Sequence, residues 1–253
     1  MFAGIGSGLI GIGGGIIYIP ALYFLLPLIG VTSSKLIFVA IVTSHFTALF
    51  SSGSGLVNHI KLNNVDYKLA MLLGSGSFIT AFVIPLVFIK LDPIYSKIAL
   101  LFFLLLVVFR MMLEMKNVQF RVYNFNRAWL VFIGFIIGAV ASSAGIGGGI
   151  FVVPILTYLF SVPFKRSIGT STFAVFITIF VSSVSYWVAN FEYGLSKNPL
   201  GLINLHAAIP MAVGAIIGGT IGAKLGYRIS EKSVKIVFLT YLILAIVKIT
   251  STL

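Results

Sequence analysis

Apolar residues run along this chain in long blocks separated by short polar connections. The blocks cover residues 2–28, 36–57, 69–89, 94–115, 128–160, 168–189, 203–225 and 234–249. A helix that crosses a bilayer takes about 20 residues, so the pattern predicts an all-α integral membrane protein of about eight helical segments. A basic connection at 116–127 divides the chain into repeat 1 (about 1–115) and repeat 2 (about 128–253). No polar run is long enough for a separate soluble domain. Residues 1–253 therefore read as one transmembrane domain.

The first block of each half is interrupted in the same way. Gly11, Gly13, Gly14 and Gly15 form a G-I-G-G-G-I run followed by Pro20. Gly145, Gly147, Gly148 and Gly149 form the same run followed by Pro154, 134 residues later. Thr43-Ser44 recurs as Thr170-Ser171 at an offset of 127, and Lys97 as Lys235 at 138. A drifting offset means an internal duplication with loop insertions. Glycine costs a helix about 1 kcal/mol relative to alanine, so three in a row predict that the backbone leaves the helix there.

Lysines and arginines arbitrate the topology, because they collect on the cytoplasmic side. If each glycine-broken block crosses once, they divide 8 to 9. If each turns back as a hairpin, Lys35, Lys90, Lys97, Lys197 and Lys248 fall on one side and the other 12 on the opposite side. The bias predicts re-entrant breaks and an inverted repeat.

Composition agrees with the block pattern. Hydrophobic residues make up 59% of the chain, charged residues 9%, and the mean hydropathy is +1.15. Soluble domains carry about 25% charge, so the bilayer must be the main solvent. The net charge of +12 would suggest nucleic acid in a soluble protein. Here it sits in short loops facing lipid headgroups, and nucleic acid is not an expected partner. With no cysteine, disulfides, thiol nucleophiles and thiolate metal sites are excluded. The start lacks a basic region before its apolar stretch, so no cleaved signal peptide is expected.

The glycine breaks carry the candidate chemistry. In hydrocarbon, irregular backbone is tolerated where it is buried in protein or lines a wet cavity. A helix restarting near Ile16 or Ile150 presents unpaired N–H groups and the positive end of its dipole. Glycine lets a ligand approach closely. The expected site is an anion site near mid-membrane. Close helix packing is the plainer explanation of small residues, and matched clusters favour binding over it.

Thr43, Ser44, Thr170 and Ser171 add hydroxyl donors, with Ser7, Ser142 and Ser143 just before the glycines. For each residue alone a hydroxyl that bonds back to its own helix is the favoured reading, and for the matched Thr-Ser pairs the two readings weigh equally. All five acids, Asp66, Asp92, Glu114, Glu192 and Glu231, fall in connections or at block ends, so no buried carboxylate proton relay is expected. His45 stands beside Thr43-Ser44 and suits either a proton or pH role or simple packing. Its counterpart in repeat 2 is Thr172. His59 and His206 are expected at the interface, and three scattered histidines make no metal site. Tyr186, Trp187 and Tyr193 are expected in an interfacial aromatic belt.

Moving a bare anion into low dielectric costs tens of kcal/mol. One hydrogen bond to a charged group returns about 1.5–3 kcal/mol, so several donors and retained water must act together.

The doubled G-I-G-G-G with its following proline, the Thr-Ser pair opening the next block, and Asn58-His59 followed by Val65-Asp66-Tyr67 resemble the sulfite exporter TauE/SafE family, also called the toluene sulfonate uptake permease family. The resemblance spans essentially the whole chain. Repeat 2 has the commoner family form, Gly169-Thr170-Ser171, and repeat 1 has Val42-Thr43-Ser44. The resemblance implies a multi-pass transporter of the prokaryotic plasma membrane, not an enzyme, without cofactor or metal, that moves sulfite, sulfoacetate or related sulfonates. Export by alternating access is the leading expectation. A channel-like anion passage, a scaffold and a membrane enzyme remain as alternatives. Expected partners are the small anion, the bilayer and, as an open possibility, further copies of the chain.

Overall fold

A computed structural model describes residues 4–5, 13–31, 36–90, 126–145, 147–193 and 200–225, with shorter stretches within 94–112 and 239–250. Among them the secondary structure is helical, without strands. The helices are α1 Gly15–Leu28, α2 Leu36–Lys61, α3 Tyr67–Phe88, α4 Trp129–Ala144, α5 Gly149–Pro154, α6 Phe164–Tyr193 and α7 Leu205–Leu225. Four of these, α2, α3, α6 and α7, are long and apolar enough to cross a membrane. The expected segments at 94–115 and 234–249 lie largely outside the described residues.

The two interrupted blocks break where expected. Gly13, Gly14, Gly145, Gly147 and Gly148 all have positive φ, between 71° and 83°. That left-handed conformation costs other residues about 1–2 kcal/mol, which accounts for glycine at these positions. Gly145 caps the end of α4, and Gly148 and Gly14 open α5 and α1. The prolines 20 and 154 lie inside the restarted helices. Proline lacks an N–H and loosens the helical ladder. After Pro154 the chain widens into a π-helical turn, Ile155–Leu159.

The chain doubles back at the second break. A Cβ on Gly148 would meet Ile137 Cγ2 at 2.5 Å and Ala141 Cβ at 3.3 Å, both on α4. In a continuing helix, residue 148 would lie about 16 Å beyond residue 137.

Helix directions follow from cross-contacts. Ser77 meets Thr178, and Phe82 meets Ser185, so α3 and α6 run the same way. Thr43 meets Asn204 and Ser54 meets Gly219, so α2 and α7 also run together. Gly53 meets Phe176 while Asn64, just beyond α2, meets Gly169. The second helices of the two halves, α2 and α6, therefore run in opposite directions. An ion pair of 3.4 Å between Arg166 and Asp66 puts the α2–α3 connection and the start of α6 at one end of the bundle.

The surface is inside out relative to a soluble protein. Met71, Phe78, Ile79, Phe82, Val83 and Val87 form an exposed apolar face on α3, and Ile209, Val213, Ile216 and Ile217 form one on α7. Contiguous apolar surface on this scale needs an apolar partner, which the acyl chains supply. The interior instead collects small hydroxyls, among them Thr43, Ser44, Thr47, Ser51, Ser52, Thr170, Ser171, Thr172 and Thr178.

Candidate functional site at the glycine breaks

The two breaks meet inside the bundle. A Cβ on Gly13 would lie 3.5 Å from Gly147 Cα, 3.1 Å from Ile179 Cδ1 and 2.6 Å from Val175 Cγ1. A Cβ on Gly14 would lie 3.3 Å from Ser51 Oγ and against the ring of Tyr18. Val175, Ile179 and Ser51 fall near the middles of α6 and α2, so the breaks sit at mid-depth. Gly145 packs on Ile19 and Ile41 of repeat 1. Each break is thus enclosed by helices of both halves.

Neither restarted helix has a side-chain cap. The Gly14 carbonyl accepts from the amides of Ile17 and Tyr18, and that of Gly148 from Phe151 and Val152. The amides before these open each helix without a capping side chain, which is the arrangement that suits an anion.

The predicted hydroxyls divide into two groups. Ser44 Oγ is fully buried and has no hydrogen-bond partner among the described residues. Its counterpart Ser171 reaches the Gly149 carbonyl at 3.4 Å, at the edge of the second break. Thr43 and Thr170 do a different job. Thr43 Oγ1 accepts from the Asn204 amide at 3.0 Å, and Thr170 Oγ1 from the Asp66 amide at 2.9 Å. Asn204 and Asp66 are the residues before α7 and α3, and their own side chains accept from Ala207 N and Leu69 N. Each threonine therefore holds the start of a helix in the opposite half, Thr43 that of α7 and Thr170 that of α3. Aspartate and asparagine N-caps three residues before their bonded amides were readable from sequence. The threonine that clasps each one was not, since it lies 104 or 161 residues away.

Many other hydroxyls bond to their own helix. Thr47 donates to Thr43 O, Ser52 to Ala48 O, Ser142 to Gly138 O and Ser143 to Val140 O. His45 Nδ1 lies 3.0 Å from Ile41 O, and Thr172 Oγ1 donates to Ile168 O at 2.9 Å. The matched residues thus make the same local bond, as packing groups do. Gly11 and Ser7 lie outside the described residues.

Two positions differ from expectation. Tyr186 is buried, not interfacial: its hydroxyl donates to Ser142 O at 2.8 Å and its ring meets His45 at 5.6 Å. Facing the interior of the bundle, it has a polar partner there that the headgroup region would otherwise supply. His59, 4% exposed, is likewise buried, because the last turns of α2 continue to Lys61. Trp187 and His206 are exposed.

Gly169 explains the difference between the two Thr-Ser contexts. Any side chain there would strike the Asn64 carbonyl, whereas Val42 is accommodated in the core. Among the described residues no cluster of three or more His, Asp or Glu could hold a metal.

Comparisons with known proteins agree with this architecture. A probable membrane transporter protein of Haemophilus influenzae is 30% identical over 245 residues, covering 95% of this chain and 91% of its own. The probable membrane transporter protein YunE of Bacillus subtilis is 28% identical, covering 96% and 92%. One from Methanocaldococcus jannaschii is 28% identical, covering 92% and 86%. No solved structure matches the chain. The Sulfite exporter TauE/SafE family matches residues 1–249, and with a broken, glycine-lined centre in a multi-pass helical bundle, the chain belongs to that family of membrane transporters.

Proposed function

We propose that the chain exports a small sulfur-containing oxyanion, sulfite or an organosulfonate such as sulfoacetate, by alternating access around the paired glycine breaks. The observation that carries this reading is the meeting of Gly13 and Gly147 at mid-depth. In this reading the first amides of α1 and α5, from Gly15 and Gly149 onward, serve as donors to the anion, since neither helix start has a side-chain cap. Ser44 and Ser171 add hydroxyls, and Thr43 and Thr170 fix the surrounding helices. Gly14, Gly145 and Gly148 shape the turns that aim these donors.

No described charged side chain lies at the breaks, where an attached cation would hold the anion too tightly for turnover. Each donor contributes about 1.5–3 kcal/mol, and several together offset part of the desolvation cost while the anion keeps some water. The opposed directions of α2 and α6, and the Arg166–Asp66 pair, support an inverted relation of the halves. Such a relation lets one site face each side of the membrane in turn. The basic end is then cytoplasmic.

The test is uptake by liposomes containing the purified protein, with sulfite, sulfoacetate, thiosulfate, sulfate and chloride. Saturable counterflow of sulfite or sulfoacetate supports the proposal. Rapid unsaturable conductance of chloride would replace the carrier with a channel, and absence of any flux would remove transport of these anions.

A further inference from the structure

We propose that one face of α6 forms the outward half of the solute's route, a polar ladder leading from the glycine breaks to the outer surface and suited to a partly hydrated oxyanion. The inference rests on the functional reading above for its solute, and on independent geometry for its path. Ile179 touches the Gly13 position. Ser182, Tyr186 and Asn190 follow at helical spacing on the same face.

All three polar residues are buried, yet Ser182 Oγ and Asn190 Oδ1 have no hydrogen-bond partner among the described residues. Buried polar atoms are normally paired. Two orphans on one face, on either side of Tyr186, whose hydroxyl is held by Ser142 O, mark a surface built for a guest that comes and goes, water or the anion's own shell. The Ser182 hydroxyl can donate to an oxyanion, Asn190 Oδ1 can accept from the water around it, and neither carries a charge that would trap it. The corresponding positions 127 residues earlier are Gly55 and His59 on α2 and Asn63 just beyond it, so the serine of the ladder has no match in the other half.

Length and direction fit a half-route. From Ile179 to Asn190 is about 16 Å of helix, roughly half of a ~30 Å hydrocarbon core. Asn190 lies at the end of α6 opposite Arg166, whose neighbourhood carries Lys61, Lys68 and Lys165. Basic ends face inward, so the ladder opens outward.

The chain has no cysteine, so Ser182→Cys and Asn190→Cys can be made singly and probed in right-side-out vesicles. The probe is the impermeant cation 2-(trimethylammonium)ethyl methanethiosulfonate. The control is Val184→Cys, on the lipid-facing side of the same helix at 38% exposure. Both ladder variants are expected to react at least about tenfold faster than the control, since a thiol must be wet to react. Sulfoacetate is expected to slow the Ser182→Cys reaction. Near-isosteric Ser182→Cys keeps the test valid should Asn190→Cys fold poorly.

Rates for a folded Ser182→Cys no faster than the control would overturn the route, whether or not flux is present. Fast labelling without sulfoacetate protection, in protein that carries no anion, would leave a wet outward route standing and remove the anion from it.

Discussion

At the scale of the residue, the glycines divide by what they do. Gly13, Gly14, Gly147 and Gly148 need positive φ, and a side chain at Gly14 or Gly148 would also strike Tyr18 or Ile137. Alanine at Gly148 should lower stability by about 1–2 kcal/mol through its backbone alone, read as a lower melting temperature in detergent. Valine at Gly14 or Gly148 should cost more than alanine, because a β-branched side chain is an outlier in that conformation. Lost flux in a valine variant therefore needs a folding control. His45 gives a cleaner test. It bonds to Ile41 as Thr172 bonds to Ile168. His45→Thr should accordingly retain transport with an unchanged pH profile, and a flattened profile would assign it the proton role instead. The positions of the turns were legible because three adjacent glycines have few other uses. The orphaned Ser182 and Asn190 were not, because a serine or asparagine in an apolar helix looks the same whether or not it finds a partner.

At the scale of the element, the helices hold one another across the halves. α3 packs with α4 and α6, while α2 packs with α7 and α6. The two threonine clasps, Thr43 to Asn204 and Thr170 to Asp66, sit at opposite ends of the bundle. Thr43→Val or Thr170→Val keeps the shape but leaves a helix-start amide without its acceptor. Each should cost about 1–3 kcal/mol of stability, measured by thermal unfolding in detergent. The cost at Thr170 should be the more easily masked, because Arg166 also holds Asp66. Block boundaries were legible to within a few residues: the expected 36–57 is Leu36–Lys61 and the expected 168–189 is Phe164–Tyr193. The extra turns are polar ends such as Asn58 to Lys61, which a purely apolar criterion trims. The π turn after Pro154 left no trace in the pattern, since Ile155, Leu156, Thr157, Tyr158 and Leu159 are residues common in any membrane helix.

At the scale of the whole molecule, lipid takes the place of the missing polar surface, and the charges mark the two faces. Lys68 and Lys165 should be modified by an impermeant amine reagent from the same side of the membrane, and Lys90 from the other. Labelling of Lys68 and Lys165 from opposite sides would exclude the inverted arrangement. The duplication, the glycine breaks and the membrane class were all legible in the chain. How the halves interlock was not, because the contacts that join them span 55 residues, as in Thr80 to Phe135, up to 161, as in Thr43 to Asn204. The central claim is that an anion takes up the donors left unpaired at the paired breaks, and Ser44 tests it most directly. Its buried hydroxyl has no partner, so Ser44→Ala removes an unsatisfied group and should leave stability equal or higher. Loss of one bond to a charged ligand, about 1.5–3 kcal/mol, should raise the KM for sulfite in proteoliposomes about tenfold or more. A Ser44→Ala protein with the KM of the wild type would contradict the account.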